Sequence, residues 1–169
     1  MSHGGPTPRG MLIFMGVVGV CATVSAAFFF SFLHDEGVDA STMESDFAGY
    51  QISSVTIDGQ PIRVAIADTP ALQELGLGNR DELPDGDGML FVFSVDKEYA
   101  FWMKDMLISI DMVWLSENGS IVYMAQDVAP STYPADFVPT SPARYVLELP
   151  AGYAQAHGFK VGDVAKIKN

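Results

Sequence analysis

Three groups of polar residues in this chain could carry chemistry. Asp105 and Asp111 stand six residues apart across a turn. Two carboxylates separated by about 5 to 10 Å can divide acid and base work in hydrolysis, as in glycosidases. The stretch Asp81-Glu82-Leu83-Pro84-Asp85-Gly86-Asp87-Gly88 places four carboxylates within seven positions. Calcium takes about six to eight oxygens, so Asp81, Asp85 and Asp87 are candidate ligands, although the spacing and closing Glu of an EF-hand are absent. Asp-Gly steps are equally ordinary turn chemistry. Third, Trp102 and Lys104 alternate with Phe101 and Met103, which in a strand puts the first two on one face. An exposed Trp beside a Lys suits stacking and hydrogen bonding to a sugar or another ring. The alternative is a core tryptophan with a lysine reaching out at the strand end.

Asp111 lies inside an otherwise apolar stretch and shares a strand face with Ser109 and Val113. A carboxylate so placed must be paired, hydrogen-bonded or hydrated, because burying it bare is too costly. Arg80, Lys104 and Arg144 are the available cations, so Asp111 reads either as the floor of a polar pocket or as half of a structural ion pair.

Other chemistries are excluded. The single cysteine, Cys21, sits in an apolar run, so the rest of the chain has no disulfide framework, thiolate zinc site or cysteine nucleophile. His157 is the one histidine beyond residue 34, which rules out a multi-histidine metal centre there. It immediately precedes Gly158, where a cation favours a helix C-terminus. No nucleophile elbow, phosphate loop or dinucleotide fingerprint is present. After residue 33 there are 8 basic and 21 acidic side chains. That balance argues against nucleic acid, which needs clustered Lys and Arg, and against anionic lipid surfaces. Cations, basic proteins and neutral glycans are compatible partners; solubility alone is the other reading of the acidity.

The elements that would position these residues are short. Gln51-Ile57 and Ile62-Ala67 are β-prone runs flanking Asp58-Gly59, a hairpin signal. Asp68-Thr69-Pro70 opens a short helix that Gly76 closes. Met89–Phe93 reads as a strand buried on both faces, and Tyr99–Met103 and Leu107–Leu115 as further strands. Glu117-Asn118-Gly119 turns into Ile121–Val128. Ala129–Pro142 is a long loop, a length that is often functional. Tyr145–Leu149 is another strand; Pro150-Ala151-Gly152 then starts a short helix ending at Gly158, before a last strand at Val164–Ile167. Seven or more short strands indicate a compact β-sandwich or a partly closed barrel, mainly β, with one or two short helices.

Several motifs recur in order: Gly76-Leu77-Gly78-Asn79-Arg80, Gly88-Met89-Leu90-Phe91-Val92-Phe93 and Phe101-Trp102-Met103-Lys104-Asp105. Ile110-Asp111, Tyr145-Val146-Leu147-Glu148-Leu149-Pro150-Ala151-Gly152 and Gly158-Phe159-Lys160-Val161-Gly162-Asp163 follow. In order and spacing they resemble the uncharacterised family known as domain of unknown function 192, over about residues 52–167. The resemblance implies a compact, mainly β, sandwich-like fold and no established activity. Relative to that family, Asp105 stands where Asn is common, Ser109 replaces a usual Pro, and the loop 129–142 lacks cysteines found in relatives.

The remaining organisation comes from Met11–Leu33, 23 uncharged and mostly apolar positions. About 20 such residues cross a bilayer as a helix. Arg9 precedes the run, while Asp35 and Glu36 follow it, which favours a cytoplasmic N-terminus. A signal peptide cleaved after Val24-Ser25-Ala26 is the rival reading, but it would leave Ala27–Leu33 as an apolar free end. The expected order is a cytoplasmic head (1–10), a single transmembrane anchor (11–33), an acidic linker (34–49) and an extracytoplasmic β-domain (50–169). The expected function is binding of a cell-envelope ligand (glycan, peptide or protein) through Arg80, Trp102, Lys104, Asp105, Asp111 and Arg144. The alternatives are a hydrolase using Asp105 and Asp111, or a purely structural envelope domain. No cofactor is called for, calcium being the one candidate, and no nucleic-acid partner is expected.

Overall fold

The computed structural model describes residues 47–168. The head, the apolar run and most of the acidic linker lie outside the described residues. No helix among the described residues is long and apolar enough to cross a membrane. Seven strands and two short helices run in the order β1 (Gln51–Ile57), β2 (Gln60–Ala67), α1 (Pro70–Leu75), β3 (Asp87–Lys97), β4 (Ile110–Leu115), β5 (Ile121–Val128), β6 (Ala143–Pro150), α2 (Tyr153–Ala156) and β7 (Ala165–Ile167). A single 3-10 turn, Pro130–Thr132, interrupts the long loop before β6.

Local chemistry sets these boundaries. Asp58 and Gly59 both take positive φ, 50° and 82°, as a two-residue primed turn requires, so Ile57 pairs directly with Gln60. The Thr69 hydroxyl accepts the Leu72 amide at 3.3 Å and caps α1, which opens on Pro70 and ends at Gly76. β3 runs beyond the expected apolar core of Met89–Phe93, because its polar end, Ser94–Lys97, continues along β6 past a register shift.

All seven strands form one sheet in the order β5-β4-β6-β3-β2-β1-β7. The β2–β3 pair is parallel and the other pairs are antiparallel. Of the two architectures expected, the sandwich is therefore not the one formed. The sheet curls until its edges meet at one corner, where Ser120 bridges Val164. There the Ala165 amide donates to Gly119 O at 2.9 Å, and the Ile121 amide to Asp163 O at 2.8 Å. A Cβ at Gly119 would collide with the carbonyl oxygen of Ala165, so this seam requires glycine. The result is a half-barrel closed by backbone hydrogen bonds at one corner.

Period-two alternation sorts the side chains into two cores. Every strand contributes to the interior, including Val55, Ile62, Leu90, Val113, Ile121, Leu147 and Ala165, with Tyr153 of α2 packed beside them. The outer face carries Ala65, Met89, Phe91, Met112, Trp114 and Val146. It is covered by the loop after α1, which inserts Leu77 and Leu83, and by the β3–β4 connection, which inserts Met103. Phe47, expected in the linker, is 3% exposed and belongs to this outer core. The Tyr99–Met103 strand does not form: its sole ladder contact is Phe101 with Phe137. The run is apolar because it covers the sheet, not because it joins it.

Candidate functional site

On the outer face, the loop after α1 and the segment 99–106 stand apart and leave a cavity of about 350 Å³. Gln73 to Gly78 form one wall, Tyr99 to Met106 the other, and Phe91, Phe93 and Glu148 lie on the sheet between them. The walls are tied to each other and to the sheet. The Asn79 amide donates to Asp105 O at 2.7 Å. The buried Trp114 indole donates to Tyr99 O at 2.9 Å, and Phe101 exchanges both backbone hydrogen bonds with Phe137. Gln73 donates to Ala67 O and Val92 O, fixing α1 against the end of β2 and the middle of β3. The aromatic lining is ordered: Phe93 stacks on Tyr99 with centroids 3.6 Å apart, and Phe101 meets Phe91 edge-on at 4.8 Å.

The residue that sets the cavity's chemistry is Glu148, on β6 between β3 and β4. Its cross-strand neighbours are Met89 and Met112, which offer no charge and no donor. It is 4% exposed, and its Oε2 has no hydrogen-bond partner. Burial without a compensating cation pushes its carboxyl up to about 8. A group held neutral around pH 7 in a greasy recess can donate a hydrogen bond, or it can ionise when a cation arrives. Trp102 is 54% exposed and touches Tyr133 edge-on, and Lys104 is exposed; both line the opening. The core tryptophan is Trp114, and Trp102 is free to meet a ligand.

The structure brings together Trp102 and Lys104 of the expected site and places the other members elsewhere. Asp105 shares the wall but contributes its backbone, with φ at 58°. After glycine, Asn and Asp tolerate that conformation best, which suits an Asp to this position. Arg80 lies over the Phe47 ring at 3.8 Å, behind the wall. Arg144 pairs with Asp96 at 2.5 Å and Glu117 at 3.2 Å, beyond the other end of β3.

Asp111 corrects a further expectation. It is fully buried on the interior face and pairs with no cation. Its Oδ1 accepts the amides of Asp127 at 2.7 Å and Gly152 at 3.1 Å, and its Oδ2 that of Ala154 at 2.8 Å. It fastens α2 and the kinked end of β5 to β4. Asp105 stands over the opposite face of the sheet, so the two carboxylates do not flank a common substrate. Among the acidic residues 81–87, Asp87 is buried in a two-pronged pair with Arg63, at 2.9 Å for each bond, whereas Asp81 and Asp85 are exposed. Among the described residues no group of three or more Asp, Glu, His or Cys side chains converges on a metal position.

A seven-stranded half-barrel carrying an aromatic cavity over a buried acid is the class that fold and site define. The chain belongs to the family described as uncharacterised ACR, domain of unknown function 192, whose model matches residues 53–167. No curated protein matches the chain. Two crystal structures are similar to it, each with a TM-score of 0.67. One is a protein from Sinorhizobium meliloti 1021, provisionally described as a transcription regulator; it is 28% identical, over 70% of this chain and 95% of its own. The other is a protein of unknown function from Novosphingobium aromaticivorans DSM 12444, 30% identical over 70% of this chain and 87% of its own.

Proposed function

We propose that the β-domain is a binding module whose ligand occupies the cavity between α1 and segment 99–106. Glu148 carries this reading. Buried polar groups in folded proteins are nearly always hydrogen-bonded, and an unpaired buried carboxyl stabilises nothing within the fold. Such a group opening into an aromatic cavity has its physical rationale in a ligand. Trp102 offers a ring face at the mouth, and the volume suits a small molecule or the end of a peptide or glycan chain. The regulator description of the Sinorhizobium protein is not carried over, because a net charge of −12 repels a phosphate backbone.

The apolar run Met11–Leu33 supports a second part of the proposal. It anchors the chain in a membrane with residues 1–10 cytoplasmic and the β-domain outside, within reach of envelope glycans, peptides or proteins. Protease added to sealed spheroplasts should then remove the β-domain, and the membrane fraction should retain the anchor. Protection of the domain from protease overturns this orientation.

Thermal shift of the full chain against envelope glycans, short peptides and small ring compounds tests the binding reading. A ligand at a hundred times its Kd adds about 2.7 kcal/mol of stability. The shift should disappear in Trp102→Ala and Glu148→Gln and persist in Arg144→Ala. A shift equally large in both cavity variants places the ligand elsewhere.

A further inference from the structure

Resting on that cavity as the binding site, we infer that its ligand is an organic ammonium ion carried on an apolar or aromatic stem. The argument is one of satisfied groups. The cavity lining includes Glu148, whose buried Oε2 has no hydrogen-bond partner, together with the rings of Phe91, Phe93, Phe101 and Trp102. Gln73, the other polar side chain reaching the sheet there, already donates to two backbone carbonyls. A neutral sugar pressed to the floor would leave most of its hydroxyls without partners, which disfavours it. An ammonium group needs a counter-charge and tolerates ring faces in place of water, because the face of an aromatic ring is electron-rich. One carboxyl in a cavity that aromatic rings also line supplies both.

The other charged and titratable groups lining the cavity set the ligand's direction. Glu74 on α1 adds a second negative charge, and Tyr99 is held in its stack on Phe93. Lys104 at the exposed rim repels a cation there and attracts an acceptor. The cationic end therefore lies at the floor, and an acceptor, such as a carbonyl or carboxylate, faces Lys104. At pH 7 the carboxyl of Glu148 gives up its proton to solvent as the ammonium binds, so capture of the cation releases a proton.

Calorimetry on the full chain tests this with 2-phenylethylammonium, its neutral counterpart 2-phenylethanol, and benzyltrimethylammonium, whose charge does not titrate. At about pH 9 the ammonium should bind about tenfold tighter than the alcohol. Benzyltrimethylammonium affinity should rise with pH and level off above about 8, where Glu148 is ionised. Glu148→Gln should abolish the preference while retaining the alcohol, and Trp102→Ala should weaken both. These wild-type comparisons decide the matter even where a variant fails to fold. Equal binding of alcohol and ammonium, or a flat pH profile, overturns the cation while leaving the cavity as a binding site. If no ring probe binds but a glycan or peptide shift depends on Glu148, the cation again falls and the cavity stands. If nothing binds in a Glu148-dependent way, both fall.

Discussion

Glu148 makes the protein's stability depend on pH in a direction that can be stated in advance. In the folded chain its carboxyl holds the proton up to about pH 8, against an ordinary value of 4.5. Its contribution is therefore full below about 4.5 and is lost as pH rises through about 8. Glu148→Gln keeps the shape and cannot ionise. It should leave stability near pH 5 little changed and raise it at about pH 9 by a few kcal/mol, read from urea unfolding. A variant no more stable than the wild type at pH 9 would mean that Glu148 ionises without penalty. The sequence does not disclose this residue, because a Glu between Leu147 and Leu149 looks like the outward face of an ordinary half-exposed strand. What buries it is the covering of that face by segments far away in sequence. Alternation along Phe101-Trp102-Met103-Lys104 groups Trp102 with Lys104, but it leaves open whether that tryptophan is core or exposed.

The elements are held by hydrogen bonds that a carboxylate organises, and Asp111 shows it best. Asn in its place keeps one acceptor oxygen but turns a donor toward an amide that also donates. Asp111→Asn should therefore lower stability by about 2 to 4 kcal/mol while leaving affinity at the outer cavity unchanged. Unchanged stability with lost binding would restore Asp111 to the ligand site. The strands themselves were largely readable: turn residues at Asp58-Gly59 and Glu117-Asn118-Gly119 and alternation in β2 mark them directly. The exception, Tyr99–Met103, has the composition of a strand but no neighbour with which to pair. Its geometry is imposed by Trp114 and Phe137, contacts that no local pattern encodes.

At the scale of the whole molecule, the seam between β7 and the β4–β5 turn is what makes a curled sheet into a half-barrel. Gly119 sits there at φ 82° against the Ala165 carbonyl. Gly119→Ala should cost about 2 to 4 kcal/mol through strain and collision together. It should also speed hydrogen exchange at Ala165 and Ile121 before any loss of protection in β6. Equal exchange across the sheet would show that the corner is not a separable latch. Choosing between sandwich and barrel depended on this seam, formed by residues more than 40 positions apart, so strand-by-strand reading left both open. The same seam orders events in time. A chain emerging residue by residue can pair β1 with β2 early, but β6 meets β3 and β4 only near position 150, and the corner waits for position 165. Until then Ile57, Ile121 and Leu147 have no interior to enter, since non-local pairing must await its partner. The last residues of the domain therefore decide when the barrel corner closes, and shortening the chain before position 165 should leave the earlier strands paired but the corner open.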